Sequence, residues 1–367
     1  MSKSEHLKQQ LLELIRQSAP GTRLPTEREL CEQYGFARST VNKVIVELER
    51  ESYVRRRIGS GTYVMPRDTA IRYSDDPAGA TGRFSGEIII VYPNFFGTQL
   101  WEMVDQAEEL ALKHNIKLTP VKLRPRTDYS LLFSMAENST GLLGVIMIPP
   151  GEGIPQTVYE RLLQTVRRVV AADQFTDFSL PGLYGVCGDQ VRQGYLLMDE
   201  LLRNGHRRIG YVANEPFTPS RKELLNGIKQ ALYDRRMRWK GICKSPVSNA
   251  SWQSSIDAGF HGTFPLLQEH PELTAIFYDT LPGALAGLAA LNRLGRRCPE
   301  EISVIATSSF SGCENYTIPA ITTVSYPARP LIDKAFEIIL TPEKEFPERF
   351  LAAPELHRRS SIGKAIR

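Results

Sequence analysis

Apolar residues recur at helical spacing near the start of the chain. Leu7, Leu11, Leu14 and Ile15 fall at i, i+4, i+7 and i+8 and predict an amphipathic helix. Pro20 and Gly21 end it, because neither continues a helix. Thr26 followed by Glu29 has the spacing of a capping box and predicts a second, short helix. That helix turns Leu30, Cys31 and Tyr34 inward and closes at Gly35. A third helix carries Val41, Val44, Ile45 and Leu48 on one face, with Arg38, Ser39, Asn42 and Lys43 on the other side near its start. Two short segments, 53–58 and 62–65, flank Gly59-Ser60-Gly61 and read as a β-hairpin with Arg55, Arg56 and Arg57 on its first strand. Residues 66–86 are polar, rich in Pro, Gly, Asp and Ser, and show no apolar period, which predicts a linker.

From Glu87 the texture changes to short β-branched runs alternating with helical patterns. Strands are expected at 88–92, 116–121, 145–148, 168–172, 183–187, 209–213, 275–278 and 302–306. Helices are expected at 101–114, 190–204, 221–234, 253–269 and 283–294. This alternation implies parallel sheets covered by helices. About 280 residues exceed one usual sheet domain, so two similar lobes are expected. The fold class is therefore multidomain α/β: an N-terminal winged helix-turn-helix at 1–65, a linker at 66–86, and a two-lobed α/β body with parallel sheets at 87–367.

Charge sharpens the role of the head. Residues 1–72 hold 13 Lys/Arg and 9 Asp/Glu, so the whole formal net charge of +4 lies there and the body is neutral. A basic head on a neutral body fits a polyanion-binding module. A helix has the width of the DNA major groove, and side chains at its start reach base edges. A glycine-tipped wing approaches a phosphate backbone without obstruction. The segments LPTEREL, RSTVNKVIVELE and GSGTYV together resemble the GntR-type winged-helix family over about sixty residues. The resemblance assigns DNA contacts to Arg28, Arg38, Ser39, Thr40, Asn42, Gly59 and Gly61, and Lys43 lies on the same polar face. The family usually has Ser or Thr where this chain has Ala37, the expected N-cap; losing a capping hydroxyl costs ~1 kcal/mol of helix stability.

The body has its own landmarks. GDQVRQGYLLMDELLRNGHRRIGYV, CPEEISVIA and PAITTVSYP resemble the LacI/GalR-type effector domain, a periplasmic-binding-protein fold. A GntR-type head on such a body is the arrangement of the arabinose-repressor subfamily. The resemblance implies a bacterial transcription repressor that pairs through its body into a homodimer, binds near-palindromic double-stranded operator DNA, and takes a small carbohydrate-like effector between the lobes. Candidate effector-binding residues are Phe95, Phe96, Arg221, Trp252, Asp279 and Ser308. Three departures mark the pocket. The family's ligand-binding Arg aligns with Leu224, leaving Arg221 about one turn earlier as the nearest guanidinium. Its Asn-Asp pair aligns with Thr280-Leu281, beside Asp279, and its Gly-Tyr/Phe-Asp-Asp becomes Ala306-Thr307-Ser308-Ser309.

Other classes fare worse. Hydrophobic content is 42% and charged content 23%, as in an ordinary globular chain. The longest apolar stretches, 142–150 and 284–291, fall far short of the ~20 residues a spanning helix needs. The start of the chain lacks the apolar core of a signal peptide, so a cytoplasmic protein with no membrane partner is expected. Five scattered cysteines give neither zinc spacing nor a disulfide framework, and no metal or cofactor is expected. No nucleotide-binding or metalloprotease motif and no catalytic triad is assigned, so the chain reads as a non-enzyme. A pyridoxal-phosphate aminotransferase-like body would need a longer chain and a Schiff-base lysine. A regulator with a nucleoside, an anionic effector or no effector is the remaining alternative.

Overall fold

The computed structural model describes residues 3–18, 22–50, 53–57, 61–64, 84–94, 97–307 and 312–365. The chain divides into two compact units, 1–83 and 84–367.

In the first unit α1 (Lys3–Gln17), α2 (Glu27–Tyr34) and α3 (Arg38–Arg50) precede an antiparallel pair, β1 (Val54–Arg57) and β2 (Gly61–Val64). Leu7, Leu11, Leu30, Val41, Val44, Ile45 and Leu48 form its core together with Val54 and Val64. The capping box at Thr26 is present: its amide donates to Glu29 Oε2 at 2.7 Å, and its hydroxyl accepts from the Glu29 amide at 3.3 Å. Gly35 closes α2 in the left-handed conformation, φ 71°. Residues beside Leu24 add a short third edge to the wing, with the Leu24 amide on the Thr62 carbonyl and the Val64 amide on the Thr22 carbonyl, both at 2.8 Å. The expected linker falls almost wholly on residues outside those described.

The second unit holds two six-stranded sheets. The first lobe runs β13-β7-β6-β5-β3-β4 and is parallel throughout: β3 (Glu87–Pro93), β4 (Lys117–Leu123), β5 (Leu142–Met147), β6 (Val169–Ala172), β7 (Leu183–Gly188) and β13 (Arg349–Ala352). The second runs β14-β12-β11-β10-β8-β9, from β8 (Ile209–Ala213), β9 (Ile242–Ser248), β10 (Ala275–Tyr278), β11 (Ser303–Thr307), β12 (Thr322–Ser325) and β14 (Glu355–His357), with only the β12–β14 pair antiparallel. Apolar clusters cover both faces of each sheet, as continuous β-branched runs such as Ile88-Ile89-Ile90-Val91 require.

Among the described residues the chain passes between the lobes three times: from β7 into α7 (Gln190–Arg203), from β12 into α11 (Arg329–Leu340), and from β13 to β14. The lobes thus share a multi-stranded hinge. His206 is 1% exposed. Its Nε2 donates to the Gly363 carbonyl at 3.1 Å and its Nδ1 lies 3.0 Å from Thr274 Oγ1. The structure also contains helices not anticipated from the sequence, α5 (Ser130–Asn138), α6 (Gln156–Thr165) and α11, and the edge strand β9. The helix expected from residue 101 begins a turn earlier, as α4 (Thr98–Lys113).

Candidate functional site

The polar face of α3 is built by exclusion. Val41, Val44, Ile45 and Leu48 are within 1% of fully buried, so the intervening positions face outward. Arg38, Ser39, Asn42 and Lys43 are exposed and Thr40 is half-buried. Val46 was not anticipated; it is 48% exposed on the same outward face, one turn beyond Asn42. Arg28 and Arg38 line one groove with Thr26, Glu27 and Cys31. Their guanidinium groups are tethered only weakly, Arg28 Nε to Glu32 at 3.1 Å and Arg38 Nε to Glu27 at 3.5 Å, with both arginine side chains more than four-fifths exposed. Ala37 starts α3 through its carbonyl, which accepts from the Thr40 and Val41 amides at 2.9 and 3.1 Å.

Gly61 has a specific reason to be glycine. Its φ is +122°, and a Cβ there would lie 2.6 Å from Arg23 Nε. Arg23 is exposed and pairs with Tyr63, so it adds a cation to the wing that the sequence reading missed. The anticipated Gly59 lies outside the described residues.

In the body, the loops after parallel strands gather between the lobes, where ligands of such sheets bind. Two anticipated residues, Arg221 and Asp279, meet there. Arg221 opens α8 (Pro219–Asp234), Asp279 follows β10, and Arg221 Nη2 lies 2.6 Å from Asp279 Oδ2. Tyr211 of β8 donates to Asp279 Oδ1 at 2.7 Å and accepts from Arg221 Nε at 3.0 Å. Another Arg221 nitrogen donates to the Glu215 carbonyl, and the Glu215 amide donates to Asp279 Oδ2 at 3.1 Å. Arg221 is 9% exposed and Asp279 3%, so Arg221 is a buried, fully engaged group rather than a solvated helix residue. Leu224 and Leu281 belong to apolar clusters on opposite faces of the second sheet.

Glu215 faces this pair, and Asp173 of the first lobe lies near Glu215. Glu215, half-buried, accepts from Thr280 Oγ1 at 2.6 Å, and Asn214 Nδ2 donates to Thr280 Oγ1 at 2.7 Å. Asp173 follows β6 in the first lobe and accepts from Gln99 Nε2 at 2.7 Å and from the Tyr326 hydroxyl at 3.0 Å. Gln190 Nε2 in turn donates to Tyr326 at 3.1 Å, so this chain of bonds ties two of the hinge crossings together. Burial pushes the Asp173 carboxyl up to about 6, against the pull of Tyr326 and Gln99. Burial also pushes Asp279 up to about 6 despite Arg221, and raises Glu215.

Trp252 follows β9 in the second lobe but packs against the first-lobe cluster. Its Nε1 donates to Glu152 Oε1 at 2.5 Å, and both line a cavity of about 310 Å³ with Leu123, Arg124, Arg126 and Tyr129. Beside it the lobes touch: a Cβ on Gly151 would lie 2.8 Å from Pro216 and 2.9 Å from Ser251 Oγ. Phe95, Phe96 and Ser308 lie outside the described residues. Tyr211, Glu215 and Asp173 were missed in the sequence. The available signal was polar residues closing a buried apolar run, Asp173 after Ala172 and Asn214-Glu215 after Ala213.

Comparison with known proteins agrees with both units. Residues 3–64 match bacterial regulatory proteins of the gntR family, and residues 198–362 match a periplasmic binding protein-like domain. The arabinose metabolism transcriptional repressor of Geobacillus stearothermophilus is 23% identical over 91% of this chain and 89% of that protein. The HTH-type transcriptional repressor PurR of Aliivibrio fischeri is 28% identical over 47% of this chain and 51% of that protein. The chain thus spans about half the length of the PurR relatives it matches. Among solved structures, a LacI family transcriptional regulator from Enterococcus faecium with bound ribose superposes with a TM-score of 0.66 at 20% identity, over 76% of this chain and all of that one. The transcriptional regulator CelR in complex with cellobiose gives 0.63 at 19% identity, over 92% of this chain and all of that one. No helix of the described residues is long and apolar enough to cross a membrane.

Proposed function

We propose that this chain, a gntR-type DNA-binding domain joined to a periplasmic-binding-protein-like domain, is a cytoplasmic, ligand-responsive transcription repressor that binds operator DNA as a homodimer. The observation that carries the reading is the outward face of α3, where Arg38, Ser39, Asn42 and Lys43 stand exposed above a wholly apolar inner face. Arg38 reads a guanine edge, Asn42 an adenine edge, and Val46 contacts a thymine methyl group. Thr40, Lys43, Arg28 and the wing around Gly59 and Gly61, with Arg23 beside it, hold phosphates and set the register. Two heads on a two-fold dimer match a near-palindromic site.

The effector is a neutral carbohydrate or other polyol, held where the loops after the strands converge. Glu215 and Asp279 face a guanidinium, Arg221, that is already committed to Asp279, and Asp173 of the first lobe lies near enough to Glu215 to feel its charge, while Arg124 and Arg126 line the cavity beside Trp252. The carboxyl end of such a site accepts hydrogen bonds from hydroxyls and disfavours a phosphate or carboxylate there. Trp252, with Phe95 and Phe96, offers apolar surface to a sugar ring, and Ser308 a further hydroxyl. Occupancy stabilises the closed arrangement of the lobes and, through the residues joining the units, changes the affinity for DNA.

The test uses full-length protein and an operator selected from random duplexes, with gel-shift titrations repeated in neutral sugars, sugar phosphates and nucleosides. The expected result is one selected near-palindrome and a response confined to neutral sugars. No selected sequence overturns the regulator reading; a response only to phosphorylated compounds or nucleosides overturns the polyol assignment.

A further inference from the structure

We propose that Cys243, His270 and Glu272 form a binding site for zinc on the second lobe. Cys243 is the second residue of the edge strand β9, His270 caps the C-terminal end of α9 (Ser255–Glu269), and Glu272 stands in the loop leading to β10. One ligating atom from each lies within 4.8 Å of the others. Cys243 lies 27 residues before His270, and His270 with Glu272 two residues on is no zinc motif by itself, which is why the chain read linearly gives no metal site.

The geometry suits a tetrahedral ion better than an ion pair. His270 Nδ1 and Glu272 Oε1 are 3.5 Å apart, too long for a good hydrogen bond. Nitrogen and oxygen ligands each about 2.0–2.1 Å from a tetrahedral zinc are separated by roughly 3.3 Å. As a pair, two side chains exposed by 36% and 47% stabilise the fold very little. Their positions are nonetheless fixed by the backbone. The His270 amide donates to Leu266 at 3.0 Å, the His270 carbonyl accepts from Leu273 at 3.3 Å, and Leu273 is buried. Cys243 is held in register opposite Gly210 of β8.

The donor set selects the metal. A thiolate and an imidazole with one carboxylate favour zinc over magnesium or calcium, which take oxygen ligands. The thiolate is the ligating form of cysteine, so binding replaces a thiol proton with a cation and releases that proton to solvent. Three protein ligands leave a fourth position for water. The site lies at the amino-terminal ends of the strands, opposite the loops that gather Asp279 and Arg221, so the metal clamps α9 to the sheet edge without entering the effector cleft.

The test uses tag-free, full-length protein stripped with a chelator and titrated with zinc chloride alone, then with cobalt chloride as a spectroscopic stand-in. The expected result is one equivalent bound with proton release, a thiolate-to-cobalt charge-transfer band, and a higher thermal midpoint. Cys243→Ser should abolish the band and weaken zinc at least tenfold. His270→Gln, at a partly exposed position that leaves the core untouched, should weaken zinc at least tenfold with the unliganded thermal midpoint unchanged. Cys313→Ser should leave binding intact. Absence of a charge-transfer band, wild-type zinc affinity in Cys243→Ser or His270→Gln, or loss of binding in Cys313→Ser overturns the site.

Discussion

Removing Arg221 should damage the second lobe before it damages recognition, and the damage should depend on pH. Arg221→Ala deletes a guanidinium that is 9% exposed and leaves the Asp279 carboxylate, 3% exposed, without its counter-charge. Breaking a buried pair from one side costs ~3–5 kcal/mol, most of it the penalty on the stranded charge. Asp279 can escape part of that cost by taking a proton. Burial already lifts its carboxyl to about 6 with Arg221 beside it, and loss of Arg221 lifts it further. A carboxyl raised above its unfolded value contributes stability that is present at low pH and lost as pH rises through the folded value. The variant binds more protons than wild type when folded, so its deficit must grow with pH. It should approach the full ~3–5 kcal/mol near pH 8 and shrink toward pH 5.

Urea titration followed by tryptophan fluorescence measures this, because Trp239 packs edge-on against Tyr211 at 6.0 Å, next to Arg221. Asp279→Asn in the Arg221→Ala background should recover much of the loss at pH 8, since the stranded charge is gone. A deficit below 1 kcal/mol at pH 8, a deficit that grows toward acid, or no rescue by Asp279→Asn would refute the argument. The same titration guards the effector assay, where a lost response in Arg221→Ala has meaning only in folded protein.

Arg38→Ala should weaken operator binding by ~1–3 kcal/mol and relax discrimination at one base position, read by gel shift against single-base operator variants. Operator affinity should fall steeply with salt, and residues 1–72 alone should bind more weakly than the full chain, both measurable by fluorescence anisotropy from 50 to 200 mM salt. Gly151→Val should prop the lobes apart at Pro216 and Ser251 and lower effector affinity tenfold or more by calorimetry. Asp173→Asn should gain stability relative to wild type as pH rises from 4 to 7.5, by up to ~3 kcal/mol, because the wild-type carboxyl, moved from 3.8 to about 6, destabilises the fold only once ionised. A difference independent of pH would show that Asp173 is not desolvated.

The head was almost wholly legible because each local rule there agrees with the fold. The capping box, Gly35 and the apolar faces of three short helices are all sequence-adjacent signals, and each appears in the structure. The body was legible where strands are central and buried, as at Ile209–Ala213 and Ala275–Tyr278. At its edges it was legible only in part: edge strand β4 was expected at 116–121, but edge strands β9, β13 and β14 were not. Edge strand β9 carries Lys244 and Pro246 and alternates only loosely, because one side of it has no neighbour to demand a β-branched run. Helix α11 opens with Arg329-Pro330, where proline in the first turn is a start signal, but no capping side chain precedes it to reinforce that signal. The candidate cleft was half legible. Arg221 and Asp279 are visible as isolated charges, but their ion pair through Tyr211 exists only once β8, α8 and β10 are brought together. Cys243 and His270 were hidden for the same reason.

The contacts that can serve a switch are a small subset of those in the body. An effector shifts an equilibrium only by its differential affinity for the two arrangements. Arg221, Tyr211, Glu215 and Asp279 all belong to the second lobe, so their mutual energy is the same whether the lobes are open or closed. Tyr326 and Gln190 sit at the hinge crossings, where motion is least, and Asp173 is bonded to Tyr326. The interactions that opening must break are Trp252 with Glu152 and the approach of Gly151 to Pro216 and Ser251, with Arg349 and Glu223 at 3.6 Å nearer the hinge. The last is a long, partly exposed pair that contributes under ~1 kcal/mol. A single hydrogen bond such as that of Trp252 contributes ~0.5–1.5 kcal/mol, or up to ~3 to a charged acceptor. These contacts between the lobes are together worth only a few kcal/mol, within reach of an effector that hydrogen-bonds both Asp173 in the first lobe and Glu215 in the second. Trp252→Phe keeps the ring and removes the donor to Glu152. It should leave sugar stacking in place while shifting the unliganded lobes toward the open form, seen as a larger radius of gyration in small-angle scattering that returns to the wild-type value on saturation with effector. An unchanged radius in Trp252→Phe would mean that the Trp252–Glu152 bond does not hold the lobes together.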